Sequence, residues 1–145
     1  MALKKNKKTI YTVIDANINR AKEGLRVIED ITRFIFAKKN ISKDLKNLRH
    51  AADLAVKKIS IDYKDMILSR DSEGDVGRRT IVKSEFMRQN TQEILISNFK
   101  RVEESMRVLE EISKLIDKKA AARFKDLRYR VYVLEKKAVL GCRLK

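Results

Sequence analysis

Two asparagine–arginine pairs, Asn17/Arg20 and Asn98/Arg101, combine side chains suited to holding a phosphorylated molecule. At 100° per residue, Asn17, Arg20 and Gly24 share a helical side with Ile28, Ile31 and Ile35. Asn98 and Arg101 share one with Val102, Leu109, Ile112 and Ile116 in the same way. A guanidinium turned into an apolar stripe costs several kcal/mol unless an anion pairs with it and its donors are satisfied. That anion is either internal or a ligand phosphate. Glu23 and Glu104, three positions after each arginine, are within reach for the first; the planar guanidinium fork grips phosphate oxygens two at a time for the second.

A different chemistry stands in "RDSEGDVG", residues 70–77, where Arg70, Asp71, Glu73 and Asp75 surround Gly74 and Gly77. Carboxylates on a glycine-permitted turn are hard oxygen ligands suited to Mg²⁺, which bridges polyphosphate, and "GRR" at 77–79 adds cations beside them. The alternative is a solvated acidic turn. Arg49-His50 and Arg128-Tyr129 each follow a leucine at matching places in the chain, and His50, the only histidine, is by default structural. Arg26, Arg107, Glu29 and Glu110 point away from the apolar stripe, which predicts a solvated face of helix-surface pairs.

The elements that carry these residues are helical. Ile14, Ile18, Ala21, Leu25, Ile28, Ile31 and Ile35 step by three or four, predicting a helix from about Asp15 to Lys38. A second follows to about Lys58, with Ser42 as its expected N-cap, and residues 59–83 lose helical rhythm. Ser84 opens a short helix, Thr91 caps a long one to Ile116, and a last helix spans about Ala120 to Leu140 with Gly141 ending it. Residues 17–35 align with 98–116 at an offset of 81, with identities that include Asn17/Asn98, Arg20/Arg101, Glu23/Glu104, Arg26/Arg107 and Glu29/Glu110. "KNLRH" at 46–50 matches "KDLRY" at 125–129 after a slip of two. The chain therefore reads as one all-α domain over 11–145 behind a basic tail at 1–10. It is a bundle of two duplicated helical hairpins, at about 14–58 and 91–140, joined by a glycine-containing connector at 59–90.

Composition narrows the function. The 35 Lys and Arg against 20 Asp and Glu leave +15, and the body stays basic without Lys4, Lys5, Lys7 and Lys8. Such a surface attracts polyanions: nucleic acid, anionic membrane or phosphorylated small molecules. Aromatics make up only 6% and no basic stripe interleaves with rings, which argues against nucleic acid. A non-catalytic interaction module stabilised by buried ion pairs is the other rival. Cys142 is the single cysteine, so no disulfide forms within one chain and no zinc or CxxC site is possible. No apolar run approaches a signal peptide or membrane span, giving the expectation of a cytoplasmic chain without membrane partners. The familiar phosphate-loop, kinase, dinucleotide and zinc-protease motifs are absent. The pseudo-symmetric faces suggest a homodimer.

The blocks "IDANINRAKEGLRVIEDITRF", "LRH", "RDSEGDVG", "NFKRVEESMRVLEE" and "RFKDLRYRVYVLEK" together resemble one family. It is the alternative, single-function hydroxymethylpyrimidine phosphate kinase, a helical domain also found fused N-terminally to thiamine phosphate synthase. The likeness covers about Tyr11 to Leu140, and no synthase barrel follows, so no synthase activity is expected. The resemblance implies ATP-dependent phosphorylation of 4-amino-5-hydroxymethyl-2-methylpyrimidine phosphate to the diphosphate used for thiamine. It implies Arg20, Arg101 and Arg70 as phosphate clamps and Asn17 and Asn98 as orienting groups. Glu23, Glu104, Arg49, His50, Arg128 and Tyr129 would surround the substrate, Gly74 and Gly77 the nucleotide, and Asp71 and Asp75 would carry Mg²⁺. Ser105 stands where the first copy has Gly24, so the two halves need not bind equivalent groups.

Overall fold

The computed structural model describes residues 2–80 and 82–143, with the side chains of 2–5, 84 and 85 left aside. Five helices and no strand occur among the described residues: α1 Ala2–Asp30, α2 Lys39–Lys57, α3 Tyr63–Ser69, α4 Thr91–Ser113 and α5 Lys118–Gly141. The all-α architecture is as expected. The basic start is not a separate tail; its described residues are the first turns of α1.

Contacts between the helices fix the topology. Lys22 meets Asp53 and Glu29 meets Arg49, so α1 and α2 run antiparallel; Gln92 meets Val139 and Glu110 meets Arg128, so α4 and α5 do too. Ile41 touches Gly141, while Leu54 faces Arg123 across a groove, which sets α2 against α5 in opposite directions as well. By connectivity α1 and α4 are also antiparallel, and the two hairpins pack as a four-helix ring with pseudo-twofold symmetry. Leu25, Ile28, Leu45, Leu48, Val102, Met106, Leu109, Phe124 and Val131 fill its interior completely. Each such side chain contributes about 1.5–3 kcal/mol of transfer free energy.

The closest approach lies where α1 crosses α4. A Cβ built on Gly24 would stand 2.7 Å from Val102 Cγ2 and 3.3 Å from the Asn98 carbonyl oxygen. Val102 is β-branched and fully buried, so it cannot swing aside, and glycine is what lets the two backbones meet.

Several element ends differ from expectation. The first helix does not run straight to Lys38: after Asp30 it widens into a π turn over Ile31–Ile35, where the Phe36 N–H reaches the Ile31 carbonyl at 3.2 Å, and Ala37 then reverses with φ 52°. The buried pair Glu29–Arg49 spans 20 residues and its counterpart Glu110–Arg128 spans 18. The π turn and Ala37 lie inside that longer span and absorb the two extra residues. Ile35, expected in the stripe, is exposed as a result. Ser42 is not an N-cap; α2 begins earlier, at Lys39, and Ser42 is buried. Asn90 rather than Thr91 caps α4, its Oδ1 accepting from the Glu93 N–H at 2.9 Å, and Asp117 caps α5 through Lys119 and Ala120. Gly141 is the last residue of α5, with no positive φ. Helix α3 lies in the stretch expected to lack helix. It has seven residues, too short to show a period, and Asp62 caps it while Met66 packs against the core.

Candidate functional site

Gly24 opens a polar cleft of about 370 Å³ between α1 and α4. Glu23 and Val27 form its α1 side; Ser97, Asn98, Lys100, Arg101 and Glu104 form its α4 side, and Arg88 closes one end. Residues from both copies of the repeat thus meet in one place. Their arrangement corrects the helical-wheel reading. Arg20 is exposed, and its Nη1 donates back to Asn17 Oδ1 at 3.4 Å; Arg101 is about half exposed, its Nη2 3.8 Å from Glu23 Oε2. The phase argument places the Cβ correctly, but long arginine side chains lay their stems on the helix surface and carry the charge outward. Asn17 is buried and Asn98 half-buried, and each Nδ2 donates to a carbonyl four residues back, Val13 at 2.9 Å and Ile94 at 2.8 Å. Of the residues identical between the copies, Arg101, Asn98, Glu23, Glu104 and Val27 line this cleft, and Asn17 and Arg20 do not.

A second cleft, of about 470 Å³, adjoins the first through the shared Lys100 and Glu104, and is walled by Glu103, Arg107, Arg128 and Tyr132. Here Lys100 Nζ stands 2.9 Å from Glu135 Oε1 and 3.5 Å from Glu103 Oε2. Glu103 is 95% buried. Glu103 Oε1 and Glu135 Oε2 are buried and lack any donor. Both carboxyls meet the same Lys100, and one proton shared between them accounts for the orphan acceptors, because two carboxylates in contact do not both ionise. Burial and the Glu135 carboxylate push the Glu103 carboxyl from 4.5 up to about 8, with Lys100 pulling the other way. Although burial works against it, the Glu135 carboxyl lies below its ordinary range because Glu103 and Lys100 donate to it. Glu103 therefore binds its proton in the folded state where the unfolded chain has lost it. Its stabilising contribution is complete below pH 4.5 and disappears as pH rises through about 8. Thermal melts from pH 5 to 9 should show this as a falling limb of at most about 1.4 kcal/mol per pH unit. Glu103→Gln, which keeps a donor toward Glu135 but cannot ionise, should flatten that limb; parallel curves for the two proteins would refute the shared proton.

Glu29 and Glu110 are not on a solvated face. They are 97% and 95% buried, and each holds an arginine from the partner helix of its hairpin: Arg49 Nε at 3.2 Å, and Arg128 Nε and Nη2 at 3.2 and 3.1 Å. The wheel of one helix cannot show a partner that comes from another. Arg49 is thereby committed to packing, and His50 is exposed on α2. Arg128 also lies over the rings of Tyr129 and Tyr132, 5.2 and 6.0 Å from their centroids. Donation from its guanidinium to the Tyr132 oxygen, and after that to Glu110, holds Arg128 above the ordinary range against the opposing cost of burial.

The connector is held to α1 by a fork: Arg70 Nε and Nη2 each donate to Asp15 at 2.7 Å. Residues 71–80 beyond it are exposed. Asp71 Oδ1 accepts from the Gly74 N–H at 2.9 Å and Asp75 Oδ1 from the Gly77 N–H at 2.8 Å. Neither glycine takes the positive φ expected of it; the Asp71 carboxylate folds against the place a Cβ on Gly74 would occupy, and as the end of an exposed side chain it could give way. Among the described residues no three acidic, His or Cys side chains converge on a metal position.

Sequence reasoning passed over Lys100, Glu103, Glu135, Tyr132 and Asp15. A signal for Glu103 existed: it falls on the α4 core stripe between Phe99 and Met106, at the position where the first copy has Lys22. Comparing the copies for differences, not identities, would have found it.

The fold and clefts define an internally duplicated all-α domain with a cation-lined groove beside the α1/α4 crossing. The chain belongs to the ThiD2 family, whose model matches residues 12–137. It is 39% identical over 135 residues to the thiamine-phosphate synthase of Synechocystis sp., a match covering 93% of this chain and 37% of that protein. It is also 39% identical over 126 residues to that of Nostoc punctiforme, covering 87% and 34%, and 37% identical over 125 residues to that of Rhodopirellula baltica, covering 86% and 33%. The chain thus spans about a third of the length of these curated relatives. No solved structure matches it. Among the described residues no helix is long and apolar enough to cross a membrane.

Proposed function

We propose that this domain is a kinase that transfers a phosphoryl group from ATP to 4-amino-5-hydroxymethyl-2-methylpyrimidine phosphate, giving the diphosphate for thiamine biosynthesis. The observation that carries the reading is the α1/α4 cleft, which sets Arg88, Lys100 and Arg101 around a space large enough for a pyrimidine phosphate. Membership of the ThiD2 family and relatives named thiamine-phosphate synthase support the same pathway.

The acceptor is a phosphate monoester whose second pKa lies near 6, so at neutral pH it is already dianionic and needs no general base. The task is to bring two anions into line and to neutralise their repulsion, which is positioning and electrostatics. Arg101 and Lys100 supply the charge at the cleft. One Asn98 Nδ2 hydrogen is tied to the Ile94 carbonyl, which leaves the second N–H and Oδ1 for a ligand. Arg20, on the outer surface of α1, would reach a ligand only from the rim, and Arg70, with two donors on Asp15, only through the N–H groups left on its two Nη atoms. Mg²⁺ commonly takes one or two carboxylates besides phosphate oxygens and water. Asp71 and Asp75 fit that modest demand, each with one oxygen already on a turn amide. Bound with ATP, the ion would offset phosphate charge.

The test is direct. Incubation of the protein with ATP, Mg²⁺ and the pyrimidine monophosphate should release ADP and form the pyrimidine diphosphate by mass spectrometry. ADP release that does not depend on the acceptor, or no release above buffer, would overturn the reading.

A further inference from the structure

We propose that the second cleft is a recognition site for the 4-aminopyrimidine ring of a phosphorylated ligand: Tyr132 supports the ring, Glu103 accepts from its exocyclic amine, and Lys100 and Arg107 face its phosphates. The inference rests on the phosphotransferase reading for its choice of ligand. The ring chemistry is shared by two molecules, since both the adenine of ATP and the pyrimidine acceptor carry an amino group beside a ring nitrogen.

Four observations converge on the site. Tyr132 is 42% exposed and lines the cleft, and Tyr129 braces it edge-to-face, with centroids 6.1 Å apart. The Arg128 guanidinium lies against both rings and is itself held by buried Glu110, so the shelf is fixed before any ligand arrives. Among the described residues no aromatic ring lines the neighbouring α1/α4 cleft, and the ring that could stack stands on this side of Lys100. Lys100 stands at the junction of the two clefts, where phosphates from both sides would meet.

Glu103 supplies the specificity. A carboxylate in water-excluded surroundings would read little, because either oxygen could turn to suit the ligand. Here the orphan Oε1 shares a proton with Glu135, which leaves Oε2, 3.5 Å from Lys100, as an acceptor with no proton to give. An amino group donates to such an oxygen. A carbonyl at the same place would set lone pair against lone pair, and a buried polar group left unpaired is what makes a site reject an analogue. The cleft therefore takes 4-amino rings and disfavours 4-oxo rings. The first copy of the repeat has Lys22 in place of Glu103, paired with Asp53 at 2.9 Å, and so cannot read an amine in this way.

Equilibrium binding tests this without requiring turnover. ATP, inosine triphosphate and the pyrimidine monophosphate would each be titrated calorimetrically into the wild type, Tyr132→Ala, Tyr132→Phe and Glu103→Met, with thermal melts to confirm folding. The occupant of the cleft is the ligand whose affinity falls by roughly 10- to 100-fold in Tyr132→Ala and is restored in Tyr132→Phe, as expected for a lost stacking surface. If that ligand is ATP, the wild type should prefer it to inosine triphosphate by about 10-fold or more and Glu103→Met should lose the preference. If it is the pyrimidine monophosphate, Glu103→Met should weaken its binding directly. Unchanged affinity of both ligands in folded Tyr132→Ala, or an amino preference that survives Glu103→Met, overturns the proposal. A protein that turns over normally with those results keeps its kinase reading and loses this site. One that binds as described but yields no ADP keeps the site and loses the kinase reading.

Discussion

Arg101→Met should lower kcat/KM for phosphoryl transfer by about 100- to 1,000-fold, or roughly 3–4 kcal/mol of transition-state stabilisation, and leave the melting temperature almost unchanged. Both halves follow from where the side chain lies. Arg101 lines the α1/α4 cleft beside Lys100, where charge would gather as two phosphates approach. Its own partner within the protein is Glu23 at 3.8 Å, with both side chains more than half exposed. A pair that loose and wet contributes about 0–1 kcal/mol to folding, so methionine, which keeps the stem and removes the charge, should not disturb the bundle. Arg20→Met is the paired control. Its guanidinium is exposed on α1 and lines none of the described clefts, so it should lose less than about 10-fold. Equal losses in the two variants would mean that the duplicated arginines act as a symmetric clamp. Normal turnover by Arg101→Met would remove the cleft from the reaction.

The asymmetry of that prediction is the main thing the helical wheel did not show. Stripes at a spacing of three and four residues, repeated after 81 positions, made the bundle and its duplication legible, because core residues such as Leu25, Ile28, Met106 and Leu109 obey a period that any register of the same helices must obey. Polar residues obey no such rule. The wheel gives the direction of a Cβ but not where a guanidinium ends, and so it turned Arg20 and Arg101 inward. It also sent Glu29 and Glu110 outward, because it sees only one helix, while their partners stand on the next helix 18 to 20 residues away. Element ends failed for a further reason. Asn90, Asp117 and Asp62 each cap a helix through one or two backbone amides, and at Asn90 the neighbouring Thr91 looks equally suitable in the chain.

Divergence between the copies, set against their likeness, is also what gives the groove its polarity. Gly24 permits the close crossing next to the first cleft, and its counterpart Ser105 instead turns its hydroxyl back to the Arg101 carbonyl at 2.7 Å. Glu103 brings a carboxyl pair to the second cleft, where the equivalent place in the first hairpin holds a single Lys22–Asp53 ion pair. Duplication supplied two similar hairpins, and a few unmatched residues made one side of the bundle different from the other. A transfer between two unlike phosphates needs such a difference.

The duplicated buried ion pairs, by contrast, are structural, and their strongest test is Glu110. Glu110→Ala should destabilise the fold by about 3–5 kcal/mol, the usual consequence of leaving one member of a buried pair without its partner. For a domain of this size that corresponds to a fall in melting temperature on the order of 10 °C. Two guanidiniums converge on this carboxylate, the buried Arg128 at 3.1 Å and the half-exposed Arg107 at 3.3 Å, and without it Arg128 would stay buried with no carboxylate to pair with. The matching Glu29→Ala should cost less, because only Arg49 is close, at 3.2 Å, and Arg26 stands 4.0 Å away in solvent. Pairing Glu110→Leu with Arg128→Met should recover much of the loss, since a buried ion pair is worth little against well-packed apolar groups once neither charge is left alone. Thermal melts of the two single variants and the double variant separate these contributions. If both alanine variants melt within a degree of the wild type, the carboxylates are already wet and the paired arginines are not what joins α1 to α2 and α4 to α5.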